Sequence, residues 1–248
     1  MLKITLEDNH ITFEGEIVEG ASDQVLQVLN RVVFSQAKIF LHIKSEGGIA
    51  KEGFKIYTAL KSACYLSPGL VISTIGYDHI NSTAILIFLA GKDRFIEAGS
   101  RFAFHEVMNL MGEKQLLINC TKLRKMRSVF EEKMCFCRSA EAIEFFEAWL
   151  TKIEQEISFI DMQRIIAIRK AFNATAKGQH ICQFREDVLG YIVDQLKEFE
   201  KTQDGYVTII SQVSGLPASG VTKLLLEEKT LTAAEALNMK IATHSLAG

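Results

Sequence analysis

Proline is nearly absent, with 2 in 248 residues, and glycine contributes only 16. Long disordered linkers draw on both, so the chain leaves them little room. Cysteine is scarce and odd in number: Cys64, Cys120, Cys135, Cys137 and Cys182, unevenly spread. That excludes a regular disulfide scaffold and points to a reducing, cytoplasmic setting. Neither sign of charge dominates, with 28 basic and 30 acidic residues and a net charge of −2. Nothing therefore calls for nucleic acid as a partner. No run reaches the roughly 18 consecutive apolar residues of a membrane-spanning helix. The N-terminus, MLKITLEDNHITFEGEI, lacks the basic start and apolar stretch of a signal peptide. No membrane partner and no cofactor are expected.

What is present is an ordinary globular composition, 48% hydrophobic and 23% charged. A chain of this length holds one large domain, or a core with a substantial insertion. Residues 2–5 and 10–17 alternate apolar and polar and read as short strands. Val25, Leu26, Leu29, Val32 and Val33 then fall at helical spacing, with Ser22 as a candidate N-cap. Lys38 to Ile43 reads as a strand, Gly47-Gly48 as its turn, and 51–65 as a helix. This is a βαβ pattern. Leu70 to Ile75 is a buried strand, and Thr83 to Leu89 an apolar, buried helix. Short strands follow at 93–96 and 101–105.

From about 113 the pattern turns helical and charged. Leu116, Leu117, Cys120 and Leu123 share a helical face, as do Ile143, Phe146, Leu150 and Ile153. A further helix is expected from about 185 to 201, with a candidate boundary at Gln203-Asp204-Gly205. A strand near Glu228–Thr232, a helix capped by Thr232 and a strand near Ile241 close the chain.

Four features could carry chemistry. Gly47-Gly48 ends a strand, where glycine lets backbone N–H groups approach a substrate and hold an oxyanion. A tight βα turn is the plainer explanation. Ser82 precedes a buried helix, so its hydroxyl would be exposed, with the N–H of Thr83 as a second oxyanion donor. An N-cap is the plainer explanation there. His105 ends a strand as a candidate base, although a lone histidine is more often structural. Glu227 or Glu228 supplies an acid near the C-terminus, where adjacent glutamates are usually just solvated.

Their order and spacing carry a resemblance. IFLHIKSEGGIAKEGFKIYTAL resembles the strand, glycine turn and helix of the Clp protease proteolytic subunit. AGKDRFIEAGSRFAFHEV resembles the strand pair leading to that family's catalytic histidine. LLLEEKTLTAAEALNMKIATHSL resembles its closing segment. The resemblance covers roughly 10–109 and 204–245. It implies an α/β fold of the ClpP/crotonase type, a spiral of ββα units with a large helical insertion. The core would span 1–112 and 191–248, and the insertion 113–190. It implies a serine peptidase in which Ser82 attacks a peptide carbonyl, His105 moves the proton and Glu228 orients the imidazole. The N–H groups of Gly48 and Thr83 would hold the oxyanion. Peptide or unfolded protein is the implied substrate, within a homo-oligomer fed by an ATP-driven unfoldase.

The sequence departs from the family pattern at four points. Glu46 replaces a proline before the glycines. Gly76 stands six positions before Ser82, two more than the family's elbow. The acid is Glu, not Asp. His105 and Glu228 are 123 positions apart, which is what the insertion accounts for. Two rival functions follow: a catalytically inactive scaffold or binding protein, and a crotonase-type enzyme acting on acyl-CoA. Asp78 and His79 are weighed as an alternative dyad and set aside, because side chains three apart on a short loop rarely converge. Cys135-x-Cys137 with His180-x-Cys182 is set aside as a zinc site, because its spacing is shorter than the usual pairs.

Overall fold

In the computed structural model, the described residues are 2–33, 37–111, 116–119, 121, 123–125, 127–128 and 181–246. They belong to two units, Met1–Glu106 with Asp204–Gly248, and Val107–Gln203.

The first unit opens with β1 (Lys3–Glu7) and β2 (His10–Glu14), an antiparallel pair. Helix α1 (Ala21–Val32) leads to β3 (Lys38–Ser45), and α2 (Ala50–Leu66) leads to β4 (Val71–Ile80). The short α3 (Ala84–Leu89) precedes β5 (Asp93–Glu97) and β6 (Arg101–Ala103). In the second unit, β7 (Met108–Met111) and β8 (Leu116–Asn119) form an antiparallel pair. Helix α4 spans Ile181–Ser214. It is followed by α5 (Ala218–Leu226), β9 (Thr230–Thr232), α6 (Ala233–Asn238) and β10 (His244–Leu246).

The main sheet runs β1-β2-β3-β4-β5-β10, parallel from β2 onward. Strand β6 pairs in parallel with β4 through His79 and Arg101, and antiparallel with β9. The alternation seen in β3 decides its two faces. Ile39, Leu41 and Ile43 are buried, while Phe40, His42 and Lys44 are only partly covered. Helix α3 buries every residue, which is why its sequence is apolar all round. Phe13, Phe88, Phe102 and Phe104 are the largest side chains of the core, and Phe88 meets Phe102 edge to face.

Two local expectations are corrected. Ser22 does not cap α1. The N-cap is Gly20, without a side-chain bond, and Ser22 sits inside the first turn. Its N–H and hydroxyl both donate to Glu52 of α2, at 2.9 and 2.7 Å. A buried carboxylate from a neighbouring helix thus does the capping. Leu116 and Leu117 lie on a strand rather than a helix; a short apolar run satisfies either period, and pairing with Met108–Met111 selects the strand. The candidate boundary at Gln203-Asp204-Gly205 coincides with the division between the two units, between Gln203 and Asp204, while helix α4 runs on through it, because one glycine costs a helix only about 1 kcal/mol. Most of the segment 113–190, with Cys135, Cys137 and His180, lies outside the described residues.

Arg94 fastens the C-terminal segment to the sheet. Its guanidinium donates to the carbonyls of Ile241, Lys240 and Gly91, at 2.6, 2.9 and 3.2 Å.

Candidate active site

Gly47 and Gly48 form the turn between β3 and α2, with φ of 91° and 142°. Those angles suit glycine, and space reinforces the choice. A Cβ on Gly48 would lie 2.2 Å from the carbonyl oxygen of Ile17, and one on Gly47 would lie 2.7 Å from the Cβ of Ser82. The turn is therefore packed directly against Ser82, 35 positions away in sequence.

The lengthened stretch before Ser82 has a definite structural outcome. Ile43 pairs with Gly76, and Ser45 pairs with Ile80. Two steps on β3 are matched by four on β4, so the two extra residues form a bulge at Tyr77–His79. Asp78 takes the left-handed conformation there, with φ of 59°. The ladder is back in register at Ile80, one residue before Asn81, whose N–H donates to Ser45 O at 2.9 Å.

Ser82 itself has φ of 51°. A non-glycine residue in this region carries a conformational cost and is held by its surroundings. Its N–H donates to Ala103 O at 2.9 Å, and its carbonyl accepts from Ile85 N–H at 3.0 Å. The same carbonyl accepts from the hydroxyl of Tyr206 on α4. Tyr206 is buried, and burial pushes its phenol well above the usual range, so it stays a neutral donor.

Among the described residues, the backbone N–H groups of Gly48 and Thr83 donate to no protein acceptor, while the N–H groups on either side of them do. Gly47 donates to Ser45 Oγ, Ile49 to Ile17 O, Ser82 to Ala103 O and Ala84 to Asn81 O. Thr83 Oγ1 donates to Gly48 O at 3.2 Å, which joins the two stretches.

His105 follows β6 by two residues. Its Nδ1 lies 2.7 Å from the carbonyl oxygen of Glu106. Glu228 precedes β9 by two residues, with φ of 49°. Ala103 pairs with Thr230, and Phe104 N–H donates to Lys229 O at 2.9 Å. Glu228 itself lies in the turn that closes α5, its N–H donating to Leu225 O at 3.2 Å. Among the described residues, no hydrogen bond or ion pair joins Ser82, His105 and Glu228 to one another.

Glu46 turns sideways. Its Oε2 accepts from Asn81 Nδ2 at 2.6 Å, and its Oε1 lies 3.2 Å from His79 Nε2. His79 Nδ1 lies 3.3 Å from Asp78 Oδ2, which also meets Lys44 Nζ at 2.8 Å. The hydrogen bond from Lys44 holds the Asp78 carboxyl below its ordinary range. Asp78 and His79 are thus engaged with Lys44 and Glu46. Sequence reasoning missed Asn81 and Tyr206. Asn81 was marked only by standing next to Ser82, and Tyr206 had no local signal at all.

A parallel-centred α/β sheet with a glycine turn packed on a strained serine defines a class of fold, and the comparisons place it. The Clp protease family matches residues 1–147, and the chain belongs to that family. Among solved structures it is similar to a ClpP1 mutant from Listeria monocytogenes, at 15% identity and a TM-score of 0.54. That likeness covers 97% of this chain and 92% of the other, and at such identity it bears on the fold alone. No curated protein matches the chain. Among the described residues, no helix is long and apolar enough to cross a membrane.

Proposed function

We propose that the chain is a serine peptidase of the ClpP type that hydrolyses peptide bonds with Ser82, His105 and Glu228. The observation that carries this is the pair of uncommitted N–H groups, Gly48 and Thr83, flanking a serine held at positive φ. Donors left free beside a nucleophile are what a developing oxyanion requires.

In this mechanism the imidazole of His105 leaves the Glu106 carbonyl and turns to Ser82, as catalytic hydrogen bonds often close only around substrate. Ser82 Oγ bonds to the peptide carbonyl carbon as its proton passes to His105. The carbonyl oxygen takes the negative charge between the N–H groups of Gly48 and Thr83. The C–N bond then breaks, and His105 gives its proton to the departing amine. Water, deprotonated by His105, releases the acyl group from Ser82. Glu228 holds the imidazolium. We place this activity in a cytoplasmic homo-oligomer acting on peptide or unfolded protein. An ATP-driven unfoldase is the partner that family membership suggests.

A second function, an inactive scaffold, is favoured by the missing hydrogen bond between Ser82 and His105. A fluorophosphonate probe separates the two. The peptidase labels once per chain, and Ser82→Ala abolishes the label. An unlabelled wild type, or equal labelling of Ser82→Ala, leaves the scaffold.

A further inference from the structure

We propose that Asn81 is a positioning residue for Ser82, tying the glycine turn to the strand that leads to His105 through the two ends of its side-chain amide. The proposal takes the peptidase assignment of Ser82 as its base.

The amide orientation is fixed by its partners. Oδ1 accepts from the backbone N–H of Ala103 at 3.1 Å, and Nδ2 donates to Glu46 Oε2 at 2.6 Å. The flipped amide would set a donor against the Ala103 N–H and an acceptor against a carboxylate, losing both bonds. The backbone of Asn81 is also committed at both ends, its N–H to Ser45 O and its carbonyl to Ala84 N–H. One residue therefore touches the end of β3, the turn residue before Gly47, the start of α3 and β6. Those are the pieces that carry the oxyanion donors, the nucleophile and the approach to the base.

The Glu46–His79 contact beside it cannot do this alone. Glu46 is 68% exposed and faces His79 across 3.2 Å. A polar contact so exposed to water contributes little by itself. Asn81 is half-buried and holds Glu46 from the other oxygen. The bulge at Tyr77–His79 serves the same end, since it carries His79 to Glu46 while returning Asn81 to register. Both Glu46 oxygens are thereby engaged, one by Asn81 and one by His79. Orientation of this kind matters steeply, because a displacement of about 1 Å at reacting groups costs on the order of 100-fold in rate.

Exchanging donor and acceptor tests the tie. Asn81→Asp puts two carboxylates together and should slow the maximal rate of fluorophosphonate labelling at Ser82 by about 10-fold or more, with probe affinity little changed. Glu46→Gln keeps an acceptor and should stay within about 2-fold of wild type. The double variant Asn81→Asp/Glu46→Gln remakes the bond in the opposite sense and should recover most of the rate. Melting temperatures report folding separately. If Asn81→Asp does not fold, Asn81→Ser, too short to reach Glu46, takes its place. Labelling at the wild-type rate in folded Asn81→Asp or Asn81→Ser, or no recovery in the double variant, overturns the proposal. If wild type does not label, the peptidase assignment fails and amide resonances decide the tie instead. Shifts at Gly47, Gly48 and Ala103 in Asn81→Asp that revert in the double variant support it, and unmoved resonances overturn it.

Discussion

The hydroxyl of Tyr206 donates to the backbone carbonyl of Ser82, so a helix 124 positions downstream holds the residue with the strained φ. The carbonyl keeps a second donor, Ile85 N–H, at 3.0 Å. Tyr206→Phe therefore orphans no acceptor and should cost only about 0.5–1.5 kcal/mol of stability, read from urea unfolding. Its effect on Ser82 should be of the same order. Labelling at Ser82 is expected to fall by about 10-fold, since about 1.4 kcal/mol lost from the transition state gives that factor. Equal labelling of wild type and Tyr206→Phe would show that the turn fixes Ser82 without help from α4.

Helix α2 presses on the same segment. A Cβ built on Gly53 would lie 1.9 Å from Thr83 Cγ2 and 3.4 Å from Thr83 O. Gly53→Ala should therefore push on the residue whose N–H is left free. A loss of about 1–3 kcal/mol is expected from such overpacking. Thr83→Ser deletes the methyl in the way and keeps the hydroxyl that donates to Gly48 O. Adding it to Gly53→Ala should recover most of the lost stability in the same unfolding measurement. A double variant no more stable than Gly53→Ala would mean the strain is relieved elsewhere.

The sequence made the ladder of strands and the glycine turn visible, because period-two burial in β3 and all-round burial in α3 leave direct marks on composition. It placed Ser82, His105 and Glu228 in order, but not their contacts. The segments that carry His105 and Glu228 are brought side by side through β6 and β9, strands of three residues each whose pairing no local pattern announces. The two extra residues before Ser82 showed as a count. Only the pairing with β3 turns that count into a bulge. Ser22 misled because a serine before an apolar stretch resembles a cap, whereas the acceptor came from Glu52, thirty residues on in α2. Capping from another helix is a tertiary contact, and helix-start patterns record only local ones.

Glu52 makes the last prediction, one of acid sensitivity. Its carboxylate is buried, accepts from the N–H and hydroxyl of Ser22, and meets Lys55 Nζ at 2.7 Å. The Lys55 bond first, and then those from Ser22, hold its pKa down at about 2, from an ordinary 4.5. A depressed carboxyl contributes stability that is fully present above its unfolded pKa. That stability drains away as pH falls from about 4.5 toward 2, because the unfolded chain takes up the proton first. Glu52→Gln should cost about 1–3 kcal/mol at pH 7, the usual worth of charge-assisted bonds. The difference from wild type should then narrow between pH 5 and pH 3 in urea unfolding, since only the wild type loses this contribution. A gap that stays constant across those values would mean that the ionised Glu52 is not what secures the first turn of α1.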